Sequence, residues 1–209
     1  MTQPVDEQLG GRPFTDLKQT AGDLLLLEEL LTRLRSLVGA LAMAGVSYPQ
    51  QHIVEYYDDG RYFRFVLNNW QALVNLPKFV VVGFCGQRRK DVSAEQIAEI
   101  DALDASMVNE LKQHKGMVLY STGVRTDGDY SNLILFESFE HLSVLGNSRP
   151  HSKASKHFSP NYYYSTRIHD GVLDGALFSS ALPQLRRTRY WDFTCQPTWQ
   201  GERIYPTST

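Results

Sequence analysis

From Phe79 to Gly171 the hydrophobic periods run strand, helix, strand, hairpin, strand, helix, strand, and this order restricts the fold more than any other feature of the chain. The run FVVVGF at Phe79 to Phe84 is a continuous apolar strand bounded by Pro77 and Gly86, long enough for a central sheet position. Ser93 and Gln96 then have capping-box spacing, and Ile97, Ile100, Leu103, Met107, Val108 and Leu111 share one helical face that ends before Gly116. Met117 to Thr126 and Ser131 to Phe136 are strand-like and flank Asp127-Gly128-Asp129, a hairpin signal. Ser138 can cap the first piece of a broken helix, and Pro150 suits the first turn of a second piece that reaches about Phe158. Tyr162 to His169 alternates as a last strand, with a stop expected at Asp170-Gly171.

This is the split βαβ, or ferredoxin-like, βαββαβ order, which predicts an α+β fold. Two helices cover one face of such a sheet, so the other face needs a partner sheet or an extra layer. Dimerisation is the simplest solution, and a homodimer is expected. Upstream, residues 1 to about 16 show no apolar period and are expected to fray. A helix is predicted over 23–44, with Leu27, Leu30, Leu31, Leu34, Leu37, Val38 and Leu41 on one face and Gly45 just past its end. That stripe packs either on its own domain or across a dimer contact. His52 to Tyr57 and Tyr62 to Leu67 flank Asp58-Asp59-Gly60 and predict a hairpin within 52–67, followed by a short amphipathic segment from Trp70 to Leu76. The chain therefore divides into an N-terminal extension over 1–76, a core over 77–175 and a tail over 176–209. The aromatic stretch Arg187 to Tyr205 is expected to dock as a strand.

A net charge of -2 leaves no cationic excess for a nucleic-acid backbone. No apolar run approaches the roughly 18 residues that span a bilayer, and the start lacks the order of a signal peptide, so a cytoplasmic protein without a membrane partner is expected. Cys85 and Cys195 are far apart with no CxxC spacing, which supports neither a disulfide framework nor a structural zinc site. There is no GxGxxG, P-loop, GxSxG or HExxH.

The stretches Asn147 to Ala154, Ser159 to Tyr163 and Arg167 to Gly171 resemble the second helix and last strand of dimeric α/β barrel proteins, and the similarity covers roughly Lys78 to Gly175. That superfamily includes cofactor-free monooxygenases of the antibiotic-biosynthesis type and haem enzymes similar to aldoxime dehydratases and chlorite dismutases. The resemblance implies a ligand cavity against the sheet without choosing the chemistry.

Period two places Tyr163, Ser165, Arg167 and His169 on one face of the last strand. Such a polar stripe either meets solvent or forms a satisfied network, or it lines a cavity. In the cavity reading Arg167 polarises an oxygen, Tyr163 and His169 move protons, and Ser165 and Asn132 contact substrate. Trp70 either walls that cavity or belongs to the core. His151, with Ala154, Ser155 and Phe158 on its helical face, is a structural histidine or, as the resemblance suggests, an axial haem ligand. These features predict an enzyme that performs monooxygenase-like oxygen or proton chemistry on a small apolar substrate and requires no cofactor. The alternatives are a haem enzyme that uses His151 and a non-catalytic ligand-binding or sensing module.

Overall fold

The β-branched and aromatic runs pair into a single antiparallel sheet in the computed structural model, which describes residues 8–45, 52–145 and 152–206. The strands are β1 (His52–Asp58), β2 (Arg61–Leu67), β3 (Phe79–Arg88), β4 (Met117–Val124), β5 (Tyr130–Phe136), β6 (Tyr163–Leu173), β7 (Gln184–Asp192) and β8 (Trp199–Ile204). Their spatial order is β1-β2-β4-β5-β3-β6-β7-β8. The helices are α1 (Leu17–Met43), α2 (Trp70–Asn75), α3 (Ala94–Leu111), α4 (Phe139–Leu145) and a π-turn at Ala154–Phe158 that runs into α5 (Ser159–Tyr162). Among the described residues no helix is long and apolar enough to cross a membrane.

Local chemistry sets the boundaries. The Ser93 hydroxyl accepts from the Gln96 amide while the Gln96 side chain accepts from the Ser93 amide, so the predicted capping box opens α3. The β1–β2 turn forms at Asp59 and Gly60, both with positive φ. Asp16 accepts from the Lys18 amide and starts α1 at Leu17, ahead of the expected Asp23.

Leu27, Leu30, Leu31, Leu34 and Val38 of α1 are fully or nearly fully buried on one face of the sheet, each contributing roughly 1.5–3 kcal/mol. α1 is thus the extra layer that closes the sheet face, within the chain and without a partner sheet. Gly83, in mid-β3, permits the contact, because a Cβ there would collide with Leu27.

Three expectations are corrected. The arm is docked at its described residues: Arg12 pairs with Asp192 at 2.8 Å and Phe14 lies 6.3 Å from Trp199, ring to ring. The aromatic tail forms two strands rather than one, pairing β6 with β7 and β7 with β8. Finally, β6 does not stop at Asp170-Gly171 but continues to Leu173. Gly171 sits at a register shift where β7 approaches so closely that a Cβ would meet the Gln184 carbonyl, so this glycine marks a close strand approach instead of a turn.

Candidate functional site

The polar stripe of β6 is divided between the two faces of the sheet. β6 shifts register against β3, with Ser165 opposite Gln87 and Tyr163 opposite Arg88, and this irregularity breaks the simple alternation. Tyr163 consequently faces α3, whereas Arg167 and His169 face α1.

Under α1, Arg167 donates to both carboxylate oxygens of Asp23, from Nε at 2.5 Å and Nη2 at 2.9 Å. His169 Nε2 lies 3.0 Å from the same carboxylate, and its Nδ1 lies 2.9 Å from the Thr188 hydroxyl. All three charged or ionisable groups are buried. Burial opposes the Asp23 charge, but the hydrogen bonds from His169 and Arg167 outweigh it and hold the carboxyl at about 2. Asp23, Cys85 and His169 bring their ligand atoms within 4.8 Å of one another, a spacing that a metal could bridge. Arg167 already occupies both Asp23 oxygens, however, and its charge opposes a cation there. Burial also pushes the Cys85 thiol up, away from the ligating thiolate. This cluster locks α1 to β6, and neither Arg167 nor His169 lines the cavity on the other face of the sheet. Ser165 is likewise buried, with its hydroxyl 3.4 Å from Gln87 Oε1, and Trp70 packs in the core beneath α1. Neither lines that cavity.

The cavity lies on the opposite face, between the sheet and a roof of α3 and residues 154–160, with a volume of about 550 Å3. Val82, Phe84, Ile134 and Ile168 floor it, and Ile100, Leu103 and Met107 face it from α3. Of the expected substrate contacts Asn132 lines it, and Tyr163 does so as well. His151 lies outside the described residues. Among the described residues the cavity wall offers no imidazole or thiolate, its one sulfur being the Met107 thioether.

One end is polar. Asn132 Nδ2 donates to the Tyr120 hydroxyl at 3.1 Å, and that hydroxyl reaches Asp104 Oδ1 at 3.5 Å. Asp104 is paired at 2.7 Å with the buried Arg64, which also donates to Thr122 at 3.0 Å. Burial, reinforced by the Asp104 charge, raises the Tyr120 phenol and keeps it protonated. Burial acts against the Arg64 charge, but Asp104 outweighs it and holds the guanidinium charged. Asn132 Oδ1 is buried and has no partner among the described residues.

Asp104, Tyr120, Arg64 and Arg189 were not among the residues expected from sequence. Asp104 carried a readable signal, since it stands four residues from Ile100 and three from Met107 inside the apolar stripe of α3. The other three have no such local mark.

A single eight-stranded antiparallel sheet with helices on both faces defines the chain as α+β. No protein-family model and no curated protein matches it. Among solved structures, protein SO0527 from Shewanella oneidensis is similar to 47% of this chain over 94% of its own, with 16% identity and a TM-score of 0.38, too low to carry an argument.

Proposed function

We propose that this chain binds a small, largely apolar organic molecule between its sheet and α3, with the polar group of that molecule against Tyr120 and Asn132. The observation that carries the reading is the cavity of about 550 Å3, mostly apolar on its floor and along α3 with a few polar side chains around it, which is the usual composition of a small-molecule site. Oxygen or proton chemistry on such a ligand would fall to the Tyr120, Asn132 and Asp104 end, where a protonated phenol, an amide and a carboxylate converge. The strand order β4-β5-β3-β6, with both intervening connections crossing the cavity face, supports a ferredoxin-like unit within the sheet. The haem alternative depends on His151 alone, and the homodimer is not required to cover the sheet.

The test is fluorescence titration with the neutral apolar probe N-phenyl-naphthylamine. Wild-type protein is expected to bind it, and Ile134→Trp, which fills the floor, is expected to abolish binding while leaving the far-ultraviolet circular dichroism unchanged. Equal binding by the two folded proteins would refute the reading.

A further inference from the structure

The strand register places Asn132, Phe84, Ile168 and Arg189 in one row that crosses β5, β3, β6 and β7 at right angles to the strands. Directly paired residues share a face, and all four line the cavity. The row therefore reads amide, aromatic, aliphatic, guanidinium, and its ends are three strand spacings, roughly 14 Å, apart.

Both ends carry an unmet hydrogen-bonding atom. At the β5 end Asn132 Oδ1 is buried without a partner among the described residues. In either orientation of the amide, one polar atom is left over, because the Tyr120 hydroxyl engages only one. At the β7 end Arg189 Nε is likewise buried and unpartnered. The Arg189 charge is only partly used: its Nη2 donates to Asp170 at 3.2 Å, while Asp170 takes two shorter bonds, at 2.9 and 2.7 Å, from Arg187. Glu202, across from Arg189 on β8, is itself largely exposed to water. Buried polar groups in folded chains are normally satisfied, so two open ones at opposite ends of an apolar trough describe the ligand that fits between them.

From this row we infer that the ligand is an elongated amphipathic carboxylic acid with a hydroxyl at its far end, lying across the strands with its carboxylate at Arg189 and its hydroxyl at Asn132. The inference rests on the binding function proposed above and specifies the ligand class. Phe84 and Ile168 take the apolar middle, Arg189 supplies a charge-assisted hydrogen bond, and the Asn132 end supplies a neutral one.

Competition against bound N-phenyl-naphthylamine tests it, with ω-hydroxydecanoate, decanoate and decanol as competitors. Losing the carboxylate is expected to weaken competition ~10- to 100-fold and losing the hydroxyl ~2- to 10-fold. Arg189→Met should erase the preference for acid over alcohol while Arg189→Lys retains it, and Asn132→Leu should erase the preference for hydroxy acid over plain acid. Equal competition by acid and alcohol on wild-type protein, with the dye still bound and still excluded by Ile134→Trp, overturns the ligand class and leaves the binding function standing. Failure of the dye to bind overturns both.

Discussion

Removing the Asp23 carboxylate of α1 should cost more stability than any single truncation on the polar face of β6. Asp23 is fully buried and Arg167 is 5% exposed, so Asp23→Ala leaves a guanidinium without counter-charge or access to water. Breaking one side of such a buried pair costs roughly 3–5 kcal/mol. The depression of the Asp23 carboxyl from 3.8 to about 2 gives an independent scale, on the order of 2 kcal/mol in favour of the ionised form. In a chain of this length that loss lowers Tm by roughly 6–20 °C. Because the folded pKa lies below the unfolded one, the stabilisation is complete above about pH 4 and disappears as the pH falls through 2. Calorimetry and urea unfolding of Asp23→Ala, Arg167→Met and Asp23→Leu/Arg167→Met would check this, with the double variant expected to be more stable than the sum of the singles predicts. A cost below about 1 kcal/mol for Asp23→Ala, or strict additivity, would refute the view that this cluster is a mutually dependent ion pair.

Other perturbations follow from the same geometry. Gly83→Val should push Leu27 out of its seat and cost about 1–3 kcal/mol in urea unfolding, as overpacked cores do. Asp104→Asn should lower the pKa of Tyr120, measured by carbon NMR of the phenol, since it removes a carboxylate that disfavours the phenolate and leaves the Arg64 charge beside it. Cys85 should resist thiol reagents at pH 8 in the folded protein and react only on unfolding, because burial keeps its thiol protonated and inaccessible.

Much of the fold was legible because its signals are local. The capping box at Ser93 and Gln96, the glycine turns at Gly60 and Gly128, and the apolar periods of α1 and α3 are set within a few residues, and each forms as read. What could not be read depends on chain segments distant in sequence. The shift between Gln87 and Arg88 that turns Tyr163 away from Arg167 arises from pairing with β3, and the role of Gly171 arises from the approach of β7. The expected site residues were separated for a related reason: Arg167 and His169 lie beneath α1, a helix far upstream of the core strands, while Tyr163 and Asn132 line the opposite face. Two carboxylates nevertheless lay in line with apolar helical stripes in the sequence itself, Asp104 within that of α3 and Asp23 one turn ahead of Leu27 in α1. A charge in that position demands a buried cation, and the structure supplies Arg167 for one and Arg64 for the other.

Ligand is proposed to enter the α3 face of the sheet and not the α1 face. Methyl NMR of isoleucine-, leucine- and valine-labelled protein titrated with N-phenyl-naphthylamine tests it most directly, since the aromatic rings shift whichever methyls they touch. Shifts are expected at Ile100, Ile134 and Ile168 with Leu27, Leu31 and Val38 unmoved; shifts confined to the α1 methyls, or to neither set, would contradict binding at the α3 face.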